Sequence, residues 1–211
     1  MQTYSVKSIG ASELILDGRL SDSLWDKANI ITEFKSPWDA EQIARIEFRS
    51  LYSKSKFYFS FKVFDSNIHA IKDDDSNASI NDSDRVELFF RSDRKMSPYF
   101  CLEIDPTPRI MDFKALPNKQ FDFEWSWPTG ELEVKSNIAT DHFIVEGSIS
   151  LTSLKDLGLL KENRIETGIF RAKYNSNSDG SFVPTWITWV DPSTNEPNFH
   201  TPSSFGVLQL E

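Results

Sequence analysis

The sequence predicts an all-β fold, an antiparallel β-sandwich of the jelly-roll kind with one or two short helices. Three observations lead there. Apolar residues recur mainly with a period of two, the signature of strands with one buried face. Clusters of Asn, Asp, Ser, Pro and Gly separate the apolar runs, as turns between strands require. Helical spacing is confined to two short stretches, neither long enough to cover a sheet.

The alternation is clearest in the first half. Ala44, Ile46 and Phe48 alternate with Arg45, Glu47 and Arg49. Phe57, Phe59, Phe61 and Val63 share one strand face, with Ser60 and Lys62 on the other. Val86, Leu88 and Phe90 then alternate with Arg85, Glu87 and Arg91. Further strand-like runs cover 99–104, 121–127, 131–138, 143–149, 164–174, 186–190 and 205–210. Loop chemistry fills 73–84, 106–108, 175–180 and 191–197. Of the two helical stretches, 21–28 opens on the cap residues Ser21, Asp22 and Ser23. The other, 150–160, carries Leu151, Leu154 and Leu157 before Gly158 as a stop.

The chain has 211 residues, 39% hydrophobic and 13% aromatic, which is too apolar for disorder and enough for a substantial core. No linker, charge block or internal repeat interrupts it, so residues 1–211 read as one domain. A net charge of −9 argues against nucleic acid and anionic membranes, and is compatible with a neutral ligand such as a glycan. Cys101 is the single cysteine, which excludes an internal disulfide, and its neighbours Phe100 and Leu102 suggest a small buried residue on a strand. No window approaches the roughly 18 apolar residues of a membrane span. The opening residues lack a secretory apolar core, so the chain reads as cytoplasmic unless Met1 follows removal of a signal.

Several segments, in order, carry a family pattern. Leu16-Asp17-Gly18-Arg19-Leu20 leads into a short helix with Trp25. Phe57-Tyr58-Phe59-Ser60-Phe61-Lys62-Val63-Phe64-Asp65 is an aromatic strand ending in Asp. Asn81-Asp82-Ser83-Asp84-Arg85-Val86-Glu87-Leu88-Phe89-Phe90 runs from an acidic turn into a Val-Glu strand. Tyr99 to Asp105 with Glu103, Phe143-Ile144-Val145-Glu146-Gly147-Ser148-Ile149, Phe170-Arg171 and Phe199-His200-Thr201-Pro202 follow. Together they resemble carbohydrate-binding module family 9, a DOMON-like β-sandwich, over nearly the whole chain. That resemblance implies non-catalytic binding of a plant-cell-wall glycan such as xylan or glucan, in support of polysaccharide degradation. It also implies a structural calcium and a sugar held between two Trp rings. Two positions depart from the family: 74–80 contains no aromatic for the first ring, and the family's arginine falls near Cys101.

Sugars present an apolar C–H face and a rim of hydroxyls, so a site needs a flat aromatic and a few charged or amide groups. Trp186 and Trp189 are the aromatic candidates; three residues apart, they fall on opposite faces of a regular strand, and either stacks on ligand or packs in the core. Glu87, Glu103 and Arg171 form a polar floor for hydroxyls or a structural salt bridge. His200 donates to a hydroxyl or fixes its loop. Trp25 and Phe34 read as core, and Phe121, Phe123, Trp125 and Trp127 as one stripe, core or a second platform. Asp73, Asp75, Asp82 and Asp84 are the calcium candidates, or simply a solvated loop; no EF-hand or zinc spacing occurs.

No nucleophile elbow, phosphate loop or dinucleotide fingerprint appears, and no carboxylate pair is singled out for glycoside hydrolysis. The chain therefore reads as a binding domain rather than an enzyme, at most an accessory to a glycoside hydrolase. Two other readings remain open. One is haem binding, with Met96, Met111, His142 and His200 as available ligands. The other is a structural or partner-binding sandwich whose sugar site has decayed.

Overall fold

Phe57, Phe59, Phe61 and Val63 all turn inward from β3 (Lys56–Phe64), while Tyr58 packs on the opposite face with Trp25 and Leu14. The same two-residue alternation organises the rest of the computed structural model, which describes residues 2–39 and 43–211. Its further strands are β1 (Thr3–Ser8), β2 (Ile46–Tyr52), β4 (Arg85–Arg91), β5 (Tyr99–Ile104), β6 (Ile110–Leu116) and β7 (Gln120–Asp122). Then come β8 (Leu132–Ile138), β9 (His142–Ser150), β10 (Leu160–Lys161), β11 (Arg164–Ser176), β12 (Phe182–Thr188) and β13 (Gly206–Leu210).

The strands pair in the order β7-β6-β5-β4-β11-β13-β1-β2-β3-β9-β8, with β10 and β12 beside β11. β1 joins two layers: Thr3–Val6 pair with β13, and Lys7–Ser8 pair with β2. The front layer carries β4, β5, β6 and β11, and the back layer β2, β3, β8 and β9. The all-β sandwich expectation therefore holds. Its antiparallel pattern is broken only where β1 runs parallel to β13 and β2 among the described residues. Parallel neighbours need no tight hairpin, and long stretches of chain separate β1 from both partners.

Val86, Leu88 and Phe90 from β4, with Phe100 and Leu102 from β5, meet the β3 aromatics between the layers. Burying each such ring contributes about 1.5–3 kcal/mol. The helical stretches are shorter than the spacing suggests. Ser23–Lys27 is a 3₁₀ turn capped by Asp22, whose carboxylate accepts from Leu24 N. A helix, α2 (Leu151–Asp156), starts at Ser150, whose hydroxyl accepts from Ser153 N. One element was not foreseen: α1 (Asn77–Asn81), capped by Ser76, rises from the acidic stretch read as loop. Trp25 is buried and donates Nε1–H to Glu146 at 2.7 Å, tying residues 9–29 to the outside of the back layer. Phe34 is half-buried against the main core.

Candidate functional site

Alternation that sends Val86 and Leu88 inward sends Glu87 and Phe89 to the outer face of the front layer. On β5 it sends Cys101 and Glu103 the same way, and Glu87 pairs directly with Glu103 across the two strands. Both glutamates are buried, at 1% and 4% exposure, and both line a cavity of about 570 Å³. Arg85, also on β4, supplies the neighbouring cation. Its Nε–H donates to Glu103 Oε2 at 2.5 Å, and another guanidinium nitrogen donates to Asn81 O at the end of α1. Glu87 Oε1 lies 3.0 Å from the same Nε. That N–H is already directed at Glu103, so neither Glu87 oxygen accepts a hydrogen bond.

Burial, and then repulsion from Glu103, pushes the Glu87 carboxyl up to about 8, against the pull of Arg85. Burial raises Glu103 as well, with Arg85 opposing. Burial works against the Arg85 charge, but the two glutamates more than offset it and hold the guanidinium protonated.

Aromatic rings wall this floor. On one side stand Phe121 and Phe123, with 37% and 48% of their surfaces exposed, packed on Phe113 of β6 at 5.2 and 4.8 Å between centroids. On the other side stands half-buried Trp186 of β12, its ring 5.6 Å from the Arg85 guanidinium carbon. Phe199 stacks on Phe170 beneath it at 4.1 Å and meets Trp186 edge-on. His200 stacks on Phe89 at 5.0 Å, and its Nδ1 lies 3.1 Å from the Tyr99 hydroxyl. Burial pushes its imidazole down to about 3, so the ring is neutral at ordinary pH. Lys119 and α1 complete the rim.

The site thus sets a carboxyl floor under aromatic walls. The sequence profile described as "Carbohydrate family 9 binding domain-like" matches residues 15–211. The chain belongs to this family. Solved structures agree on the fold of this family 9 module. A candidate carbohydrate-binding protein from Bacteroides uniformis ATCC 8492 superposes with a TM-score of 0.76 at 17% identity, covering 100% of this chain and 99% of its own. A family 9 module from Caldicellulosiruptor kristjanssonii in complex with glucose gives 0.64 at 18% identity, covering 100% and 96%. One from the same organism in complex with cellotriose gives 0.63 at 20%, covering 100% and 94%. Comparison with curated proteins gave no match.

Of the expected sugar contacts in this family 9 module, Glu87, Glu103, Trp186 and His200 converge on the cavity. Two others do not. Arg171 follows Phe170, which faces outward, so its own side chain turns into the sandwich. There it is 1% exposed, bonds Asp65, lies 3.8 Å from Asp84 and sits 5.8 Å over the Phe143 ring. Trp189 lies beyond the end of β12 and is 5% exposed in the main core. Its ring covers Gly206 so closely that a Cβ there would sit 2.4 Å from it. Neither Arg171 nor Trp189 borders the cavity.

The four calcium candidates do not converge either. Asp84 is fully buried and accepts from Tyr174 N at 2.6 Å and Lys173 Nζ at 3.0 Å. Lys173 Nζ is also 3.0 Å from Asp65, so an ammonium already occupies the space between those carboxylates. Asp82 ends α1 and accepts from the Asn81 amide, Asp75 is open to solvent 3.8 Å from Arg109, and Asp73 is exposed. Among the described residues no group of three His, Cys, Asp or Glu side chains is arranged for a metal. This donor set does not fit calcium, which wants six to eight converging oxygens.

Arg85 and Phe199 also line the cavity and were not singled out; Phe121 and Phe123, read as core or a second platform, line it too. The stripe Phe121, Phe123, Trp125 and Trp127 was expected on one face. β7 stops at Asp122, and the stripe divides: the two Phe border the cavity, while Trp125 and Trp127 pack on Phe100 and Phe90 at 4.8 and 5.8 Å. Of the residues weighed as haem ligands, only Met111 and His200 reach the cavity.

Proposed function

We propose that this family 9 module is a non-catalytic carbohydrate-binding domain that holds pyranose oligosaccharides in the cavity above β4 and β5. Gluco- and xylo-configured chains of plant cell walls are the first candidates, and delivering a polysaccharide-degrading partner to them is the role. The observation that carries the reading is Glu87: a buried carboxyl lining the cavity, both oxygens lacking a donor. A buried acceptor left unmade costs about 1–3 kcal/mol, which a ligand hydroxyl recovers on binding. The surrounding rings of Phe121, Phe123 and Trp186 offer flat apolar surface for the C–H face of the same sugar.

A binding role suits the chemistry of the floor. Cys101 lies beneath it, fully buried, and burial raises its thiol well above the ordinary range, so it is a poor nucleophile. Glu103 is engaged by Arg85. The complexes of the Caldicellulosiruptor modules with glucose and cellotriose support the same ligand class.

The test is a titration of intrinsic Trp fluorescence with cello- and xylo-oligosaccharides, repeated by calorimetry. A saturable change lost in Trp186→Ala is expected. A flat response to the whole panel by both methods overturns the reading and leaves a structural or partner-binding sandwich.

A further inference from the structure

The floor of the cavity holds two buried carboxyls and one buried guanidinium, and Arg85 spends its Nε–H on Glu103. Its other guanidinium bonds run to backbone carbonyls of Asn81 and Ser83. Glu87 is left without a donor at 1% exposure. An ionised carboxylate in that position shares the single Arg85 guanidinium with Glu103 and accepts no hydrogen bond, which is costly in a buried site. Two species can relieve it: a proton, or a cation brought by the ligand.

We infer that the cavity prefers a pyranose carrying a free amine over its neutral counterpart, with the ammonium seated against Glu87 and Glu103. This rests on the sugar-binding reading of the same cavity. A hydroxyl brings one hydrogen to the floor, whereas an ammonium brings three and a full positive charge. The two Glu87 oxygens and the free capacity of Glu103 match that donor count. Phe121, Phe123 and Trp186 present ring faces, which attract a cation as well as a C–H surface. Of the other ionisable groups lining the cavity, His200 is neutral and Lys119 is exposed at the rim, away from the buried carboxyl floor. The raised Glu87 carboxyl is in keeping: burial favours a proton there, which an arriving ammonium displaces.

The experiment is calorimetry near neutral pH with four chains of equal length: β-1,4-linked glucose, glucosamine, N-acetylglucosamine and a uronic acid. The glucosamine chain should bind roughly tenfold tighter than the glucose chain, the equivalent of one added charge-assisted hydrogen bond. N-acetylation, which removes the charge, should abolish that advantage. Binding of the amine should also release a proton, seen as a heat that varies with the ionisation enthalpy of the buffer. In Glu87→Gln both chains weaken, but the ratio of their affinities should fall to about one. Equal affinity of the amine and neutral chains, or preference for the uronic acid, overturns the inference while leaving the sugar-binding reading standing. Failure of all four chains to bind removes both.

Discussion

Glu87 on β4 lies directly opposite Glu103 on β5, and the single guanidinium of Arg85 stands within 3.0 Å of the first and 2.5 Å of the second. Like charges paired across strands ordinarily destabilise a sheet. Here Arg85 neutralises one carboxylate, and the other is kept largely protonated by burial and by its neighbour. The floor is thus poised to accept hydrogen-bond donors that the protein itself does not supply.

That arrangement makes stability depend on pH with a definite sign. The folded state raises Glu87 from 4.5 to about 8, so its favourable contribution is complete below 4.5 and is lost as pH rises through 8. Glu87→Gln, which cannot ionise, should gain melting temperature relative to the wild type as pH moves from about 5 to about 8. Thermal unfolding across that range checks it, and a difference that stays flat removes the argument.

The two tryptophans near the end of β12 should behave oppositely. Trp186→Ala should cost on the order of 1–3 kcal/mol of sugar binding and leave the melting temperature nearly unchanged, because the ring is half-buried at the cavity. Trp189→Ala should instead destabilise the fold by about 3–5 kcal/mol, through the void left above Gly206. Chemical denaturation and calorimetry on both variants separate the roles.

Arg171 offers a comparable contrast. Replacing it with Ala leaves Asp65 and Asp84 buried without their guanidinium partner, and should destabilise by about 3–5 kcal/mol. Sugar affinity of the protein that still folds should match the wild type, since the side chain points away from the cavity. A selective loss of affinity at unchanged stability would return Arg171 to the binding site.

Chelation is expected to do nothing. Lys173 already sits 3.0 Å from both Asp65 and Asp84 and also contacts Asn67 O, so it acts as a built-in cation. Melting temperature and sugar affinity should be the same with excess chelator and with millimolar calcium. A melting shift of several degrees between those conditions would contradict that assignment.

Phe123 is nearly half exposed yet packed on Phe113, the mark of a platform ring rather than a core ring. Phe123→Ala should weaken binding roughly tenfold while shifting the melting temperature little.

Much of this was legible from local chemistry. A strand turns successive side chains to opposite faces, so the runs at 57–63 and 85–91 announced which residues would be core and which, Glu87 among them, would face away. The same rule set Trp186 and Trp189 on opposite faces and left open which of them is core. Arg171 was grouped with Glu87 and Glu103, but the outward-facing position belongs to Phe170. Extending the period of two past its strand was the error at 121–127: the pattern persists in the residues, but the ladder ends at Asp122.

The sequence by itself determined the fold class, the family, and the inward and outward faces of the runs at 57–63 and 85–91, the last because a strand repeats every two residues. Only the tertiary structure decided that the outward face of β4 and β5 becomes a cavity. Its walls come from Phe121 and Phe123 on one side and from Trp186, Phe199 and His200 on the other. Those residues are distant in sequence from Glu87, and they meet it only because the strand order lays β7-β6-β5-β4-β11 side by side, with β12 against β11. The Lys173 cation between Asp65 and Asp84 has the same origin: spacing along the chain carries no record of contacts made across it.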